Sequence, residues 1–387
     1  MRRPALTAIA AIFLGTVGVL GARALTRAPL APHYFADSNP TNLSDWGVVA
    51  AHGQHLALGA GVVPYDLATA LFSDYAGKLR TIWLPAGTSA TYDATQTFDF
   101  PVGTIISKTF YYPRVPGQPA GAAAVRPALG ALLQSGADGL DLATIRLMET
   151  RLLVRRASGW VALPYVWNAD QTEATLARVG ARADLQLTRD DGRVTKFVYA
   201  VPNANQCASC HTPNHASREL SPIGPKARHL NHDFAYISGT ENQLAYLTRI
   251  GWLRGAPAPD AAPRNARFYD TTASVDARAR AYLDINCSHC HSANGLARTT
   301  GLHLDANVTQ VLRLGFCKPP VAAGPGTGDH NFDIVPGRPD DSILPYRLAA
   351  TRPGVRMPEL GRNLVHEEGV ALVRAWIAGL PGGCQAE

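Results

Sequence analysis

The pentapeptide Cys-x-x-Cys-His occurs twice in the chain, as "QCASCHT" at residues 206–212 and as "NCSHCHS" at residues 286–292. In each copy two thiols stand three positions apart and a histidine follows directly. At the start of a helix, such side chains project from about one turn. If the two thiols and the histidine of a copy bind one common group, the fold must hold these three side chains close together. The two segments therefore constrain the fold more than any other feature of the chain.

Three chemistries use closely spaced cysteines. A zinc site built from two Cys-x-x-Cys pairs usually has them about 15–20 residues apart, whereas here the whole stretch 211–286 lies between Cys210 and Cys287. A thioredoxin-type dithiol expects a βαβ setting, which the surrounding pattern lacks. The pentapeptide is also the attachment signal for c-type haem. The sequence therefore predicts two covalently bound haem c groups, held by Cys207, Cys210 and His211 and by Cys287, Cys290 and His291.

A haem iron takes a second axial ligand or keeps an open position. For the second haem we expect Met357, in the loop-like segment "RPGVRMPELGRNL" ahead of a C-terminal helix. A thioether there raises the reduction potential. The alternative is that Met357 is a core side chain.

The first haem lacks a local methionine, because none occurs between His211 and Met357. The segment "HASRELSPIGPKARHLNHDF" offers His229 or His232 as the sixth ligand, which predicts a bis-histidine iron, although each is alternatively a surface histidine. His215 is too close to His211 to reach the opposite side of the iron. The remaining alternatives are five-coordinate iron, Lys226, and Met148 reaching across from the β-rich part.

The N-terminus has the layout of an export signal. Residues 1–24 contain two arginines, an uncharged apolar run and a small-x-small site, which predicts a signal peptide, or an uncleaved membrane anchor since the run approaches the length of a minimal span. We therefore expect a periplasmic protein, which the anchor would attach to the inner membrane. Cleavage after residue 24 would remove Arg2, Arg3 and Arg23 and so lower the formal charge from +6 to +3. The chain has no clustered block of basic residues, so nucleic acid is not expected as a partner.

Cys317 and Cys384 are the cysteines outside the two motifs. In an oxidising compartment they are expected to form a disulfide that ties the loop near the second haem to the C-terminus. Two free thiols are the alternative.

The fold class predicted by the patterns is α+β and multidomain. Residues 41–202 form a β-rich, sandwich-like domain, with hairpin turns at Ala157-Ser158-Gly159 and Asp191-Gly192 and a long surface loop at 117–139. A mainly α, cytochrome c-type haem-binding region follows.

Within this region the first haem-binding segment is 203–256 and the second cytochrome c-like haem domain is 269–387. A capping box at Thr240–Gln243 starts one helix, and a stripe of Val370, Val373, Ile377 and Leu380 marks another.

The chain also resembles a poorly characterised family of bacterial dihaem c-type cytochromes over nearly all of its length after the signal. The segments that carry the resemblance are "VPYDLATALFSDYAGKLR", "FDFPVGTIISKTFYYP", "ETRLLVR", "CASCH", "IGPKARHLN", "NCSHCH", "CKPP", "DIVPGRPDDSIL" and "MPELGR". The resemblance implies an exported cytochrome with a β-rich N-terminal part, a helical haem-binding C-terminal part, and the attachment residues and Met357 in the roles given above. It implies neither a substrate nor the distal ligand of the first haem.

These observations lead to an expected function, an electron carrier between periplasmic or membrane donor and acceptor proteins. The alternative is a dihaem oxidoreductase of peroxidase type, in which the first haem keeps an open position. A third and weaker hypothesis has aromatic residues such as Trp160 and Trp167 binding an extracellular carbohydrate or protein.

Overall fold

The structure is a computed structural model that describes residues 30–321 and 323–384. The predicted signal or anchor at 1–24 lies outside the described residues. The described chain is a mixed α/β protein with several sheets and more strand than helix. No helix in the described ranges is long and apolar enough to cross a membrane.

The strands precede most of the helices along the chain. The strands are β1 (Val49–His52), β2 (His55–Leu58), β3 (Val63–Tyr65), β4 (Gly77–Trp83), β5 (Ala90–Thr91), β6 (Ile105–Pro113), β7 (Ala124–Val125), β8 (Gly139–Asp141), β9 (Ile145–Arg156), β10 (Gly159–Trp167), β11 (Ala174–Leu176), β12 (Ala181–Thr188), β13 (Val194–Val201), β14 (Asp233–Tyr236), β15 (Gly239–Asn242) and β16 (Leu253–Arg254). The helices are α1 (Ala204–His211), α2 (Ala227–Leu230), α3 (Gln243–Arg249), α4 (Val275–Cys287), α5 (Ile343–Ala349) and α6 (Glu367–Ala378).

A six-stranded antiparallel sheet, in the order β11-β10-β9-β6-β4-β3, is the centre of the fold. Its strand β6 is buried at every position except the half-buried Lys108, and its two other polar side chains, Ser107 and Thr109, are hydroxyls bonded to neighbouring strands. Strand β13, in the sheet β13-β12-β7, alternates buried and exposed residues because only one of its faces is covered. The sheet thus offers a rigid surface on which the rest of the chain packs.

Both predicted hairpins are confirmed. Strands β9 and β10 turn at Ala157-Ser158, with Gly159 at φ 120°, and β12 and β13 turn through Asp191-Gly192, with Gly192 at φ 82°. The predicted surface loop at 117–139 is only partly a loop, because Val125 is fully buried and pairs in parallel with β12. Trp167 is also buried, and its Nε1 donates to Thr150 Oγ1 over 3.0 Å, so it does not offer a surface for carbohydrate.

The segment after β13 covers one face of the sheet. Leu230, Leu244 and Leu247 share a core with Ile82 and Ile106 of the sheet. Helix α3 begins after Asn242, whose side chain accepts from the backbone N–H of the next turn, so the predicted cap at Thr240 is wrong by two residues. Thr240 lies in a strand instead, because β14 and β15 form a hairpin.

The C-terminal part has its own core around α4, α5 and α6. Leu283, Val373 and Ile377 are buried there, which confirms the inward face of the predicted C-terminal helix. Two contacts tie this part to the segment between β3 and β4: Asn286 Oδ1 accepts from Phe72 N over 2.8 Å, and Tyr75 Oη donates to Glu368 over 2.8 Å. Because this segment connects two strands of the six-stranded sheet, α4 and α6 are held beside that sheet.

Candidate functional site

The first motif occupies the last turn of α1. Asn203 and Gln206 form a reciprocal capping box that starts this short helix. Both motifs were expected at helix starts, and the structure places them at helix C-terminal ends. The second motif begins at Cys287, the last residue of α4, and continues through the turn that follows. Helix termination frees the three side chains of each motif to project together from one turn.

His211 is oriented by a backbone contact. Its Nδ1 lies 2.9 Å from the carbonyl oxygen of Ser221, to which an Nδ1–H donates. This leaves the Nε2 lone pair available for a metal, the usual arrangement of a ligating histidine. Burial lowers the pKa of His211 to about 3, and the nearby Lys108 ammonium acts in the same direction, so the ring is neutral at pH 7.

A cavity of about 120 Å³ lies beside the first motif and is lined by Cys207, Cys210 and His211. The sheet forms one wall. A second cavity of about 350 Å³ adjoins it through Leu71 and Phe72, which line both. Taken alone, the first cavity is smaller than the range of about 300–1,000 Å³ that is usual for a ligand site.

The sheet presents a row of three cations to the first cavity. Arg80, Lys108 and Arg151 are register partners on β4, β6 and β9, and all three line the cavity. Arg80 is paired with Asp66 and Arg151 with Glu149. Lys108 has no carboxylate within ion-pair distance among the described residues, and burial, reinforced by Arg151 and Arg80, lowers its pKa to about 7. Like charges directly opposite one another destabilise a sheet, so this face is suited to an anionic group.

The second motif lines a cavity of about 340 Å³ that also contains Met357. Cys287, Cys290 and His291 lie in the same lining, so the structure brings together the four residues that the sequence predicted for the second haem. Burial, with a smaller effect of Arg347, lowers the pKa of His291 to about 4. A neutral imidazole and a thioether therefore share one cavity.

The position of Met357 is set by its backbone. Met357 N donates to the carbonyl oxygen of Arg347 over 3.0 Å, and the Arg362 guanidinium donates to the carbonyl oxygen of Met357 over 2.6 Å and 3.0 Å. Arg362 is almost fully buried and also contacts Leu348 and Ala350 carbonyls. The loop that carries the thioether is thereby held against α5.

The remaining predicted cysteines form the expected bond. Cys317 and Cys384 are joined in a disulfide, with their Cα atoms 5.3 Å apart. The four motif cysteines are free thiols, and burial raises the pKa of Cys287 and Cys290 to about 12. Within residues 30–321 and 323–384 no group of three or more His, Cys, Asp or Glu side chains is arranged to hold a metal ion by itself. A haem iron needs only one or two protein ligands.

The histidines proposed for the first haem lie elsewhere. His229 is buried with its Nε2 3.3 Å from Asp284 and its Nδ1 3.4 Å from Asn265, and His232 is bonded to Gln243 over 3.0 Å. Among the described residues, neither lines the cavity beside His211. The sequence-based choice of His229 or His232 is therefore not supported by their positions, because both are satisfied by polar partners of the fold.

Three other candidates also lie outside the first cavity. Met148 is packed in the core beneath β12 and β13. Lys226 is the residue before α2 and makes no side-chain capping bond, and the backbone N–H of His215 donates to the carbonyl oxygen of Asn294. Like His229 and His232, none of these lines the first cavity.

The two motifs are direct neighbours. Cys290 Sγ lies 3.6 Å from the carbonyl oxygen of Ser209, and Cys210 lines both cavities. His289, Asn286 and Leu360 also belong to both linings. One layer of side chains therefore separates the two sites.

Sequence reasoning missed Lys108, Arg151 and His289. A lone lysine in the buried run "IISKTFYYP" was a signal for Lys108, and His289 stood inside the second pentapeptide.

Comparison of the chain with protein-family models, with curated proteins and with solved structures finds no match.

Proposed function

We propose that the protein is an exported dihaem c-type cytochrome that carries single electrons between periplasmic or membrane redox partners. The observation that carries this proposal is the pair of Cys-x-x-Cys-His turns, adjacent at 3.6 Å, each of which lines a cavity with both thiols and a neutral histidine. A bound haem would supply an iron that alternates between the ferric and ferrous states.

The residues of the chain fit two such groups. Cys207 and Cys210, and likewise Cys287 and Cys290, are free thiols that could each join a vinyl group as a thioether. His211 and His291 would bind the two irons. Met357 would be the second ligand at the second motif, where a thioether favours the reduced state.

The charged residues fit the same interpretation. A haem carries two carboxylates, and the row of Arg80, Lys108 and Arg151 provides cations to receive those of the first haem, with Lys108 as the one that has no carboxylate partner. Lys318 and Arg347 line the second cavity. Such pairing would offset the cost of burying like charges together.

The finer fold class belongs to this proposal. We infer that residues 41–202 act as a sandwich-like domain, that 203–256 hold the first haem, and that 269–387 form a cytochrome c-like domain for the second. The signal-like segment 1–24 and the Cys317–Cys384 disulfide support an exported, periplasmic location.

The test is the mass and the optical spectrum of the protein, exported with the haem-attachment machinery present. We expect the mass of two haems per chain, bound after denaturation, and uptake of two electrons from a mediator. Cys207→Ala with Cys210→Ala should remove one haem and Cys287→Ala with Cys290→Ala the other, whereas the control Cys384→Ser should keep both. A full-length protein without bound haem would refute the proposal.

A dihaem oxidoreductase is the second candidate. The observation that favours it is the absence of any methionine among the described residues that line the first cavity. An open iron there would bind carbon monoxide when reduced and would consume peroxide with an added electron donor. Turnover of peroxide, with one high-spin haem in the resting protein, would favour this candidate over a carrier.

A further inference from the structure

One histidine of the second pentapeptide has no role in attachment. His289 stands between the two cysteines that would hold the second haem, and it lines both cavities. Its Nδ1 is buried and makes no hydrogen bond, one of a few such atoms among the described side chains. A buried polar atom without a partner is costly, and a group bound at this ring would offset that cost.

The first cavity contains few other donors. His211 is one wall of it, and the structure places His229, His232 and Met148 outside its lining. Lys108 also lines the cavity, but its ammonium lies 5.2 Å from the centroid of the Phe110 ring and within a row of arginines, as a counter-charge would. Among the residues that the structure describes, His289 is the only histidine other than His211 in this lining.

The two imidazoles line the same cavity. His289 is held by the turn after α4, and Asn286 in the same helix is fixed to Phe72 N over 2.8 Å. The ring is therefore presented to the first cavity by an element anchored to the segment between β3 and β4.

We propose, on the basis of the dihaem function above, that His289 is the second axial ligand of the haem attached at Cys207 and Cys210, opposite His211. The second motif then serves both haems, because His291 binds its own iron and His289 binds the neighbouring one. With His289 and Met357 in these roles, both irons would have two protein ligands, which favours the carrier over the oxidoreductase. Three consecutive residues of one chain, His289 to His291, would then connect the two irons.

The experiment compares the wild-type holoprotein with His289→Ala, His289→Met and the control His232→Ala. Mass spectrometry first establishes that each protein carries two haems. Electron paramagnetic resonance of the ferric state and carbon monoxide titration of the ferrous state then count the open irons. We expect none in the wild type and the control, and one per chain in His289→Ala.

Two further measurements guard against a folding defect. Added imidazole should return His289→Ala to the low-spin state, and His289→Met should stay low-spin with a higher potential for one haem, as a thioether ligand produces. An open iron in the wild type, or a low-spin His289→Ala that ignores carbon monoxide, would overturn the assignment while leaving the dihaem proposal intact. Loss of both haems from the wild type would instead overturn the proposed function.

Discussion

The ion pair between Arg228 and Asp284 is the most informative single contact to perturb. Arg228 lies on α2, after the first motif, and Asp284 lies on α4, one turn before Cys287. The guanidinium donates to both carboxylate oxygens, over 2.6 Å and 2.8 Å, and the two side chains are 4% and 0% exposed. This pair therefore fixes the segment of the first motif to the helix of the second.

Asp284→Asn removes the charge and keeps the shape. The carboxylate also accepts from Asn265 Nδ2 over 2.9 Å and from Ala306 N over 3.3 Å, so its oxygens are fully engaged. An amide in its place would leave the Arg228 charge buried and uncompensated, which costs about 3–5 kcal/mol. We expect the free energy of unfolding to fall by that amount.

The assay is denaturant unfolding followed by tryptophan fluorescence and far-ultraviolet circular dichroism. The matched control is Asp340→Asn, which breaks the Arg374–Asp340 contact of 2.6 Å at the surface, where Asp340 is 81% exposed. An exposed pair contributes about 0–1 kcal/mol. If Asp284→Asn changed stability no more than Asp340→Asn does, the argument from burial would be wrong.

The pH dependence gives a second check. Burial alone would raise the pKa of Asp284, but the hydrogen bonds and charge of Arg228 outweigh it and hold that pKa below its usual range. A depressed carboxyl pKa contributes stability that is present above the unfolded value of about 4 and is lost as the pH falls below it. The advantage of the wild type over Asp284→Asn should therefore shrink as the pH falls below about 4.

Four further outcomes are expected. In the proposed dihaem cytochrome, Met357→Ala should lower the reduction potential of one haem by on the order of 100 mV, measured by redox titration, because axial ligands tune haem potentials widely. An unchanged potential would assign Met357 to packing. Cys384→Ser removes the disulfide to Cys317 and should lower the free energy of unfolding by about 2–4 kcal/mol. Adding a reductant should not lower the stability of this variant any further. Burial raises the pKa of Asp74 to about 6, so the folded state binds this proton more tightly than the unfolded state does. The free energy of unfolding should therefore fall by about 2 kcal/mol as the pH rises from 4 to 7, and Asp74→Asn should lack that slope in unfolding titrations. Lys108→Met should stabilise the haem-free protein by about 1 kcal/mol, because it relieves the repulsion between Lys108 and its strand neighbours Arg80 and Arg151. A variant with thermal stability equal to or lower than that of the wild type would argue against an uncompensated cation at this position.

Local sequence chemistry predicted several elements correctly. The Asp191-Gly192 turn was predictable because it depends on two adjacent residues, of which the glycine adopts the left-handed conformation. The buried face of α6 was predictable because Val373 and Ile377 stand one helical turn apart. The cap of α3 was missed because Thr240 pairs in a hairpin, a longer-range preference that overrides the capping pattern.

The sequence alone determined which atoms are available: four thiols in two Cys-x-x-Cys-His segments, a methionine in the C-terminal part, and a leftover pair of cysteines. Only the tertiary structure decided which of the many histidines face a cavity. His229 is taken up by Asp284, whereas His289 lies at the wall between the two motifs. The physical reason is that a side chain's partners are set by packing between segments far apart in sequence, and a one-dimensional pattern does not contain those contacts.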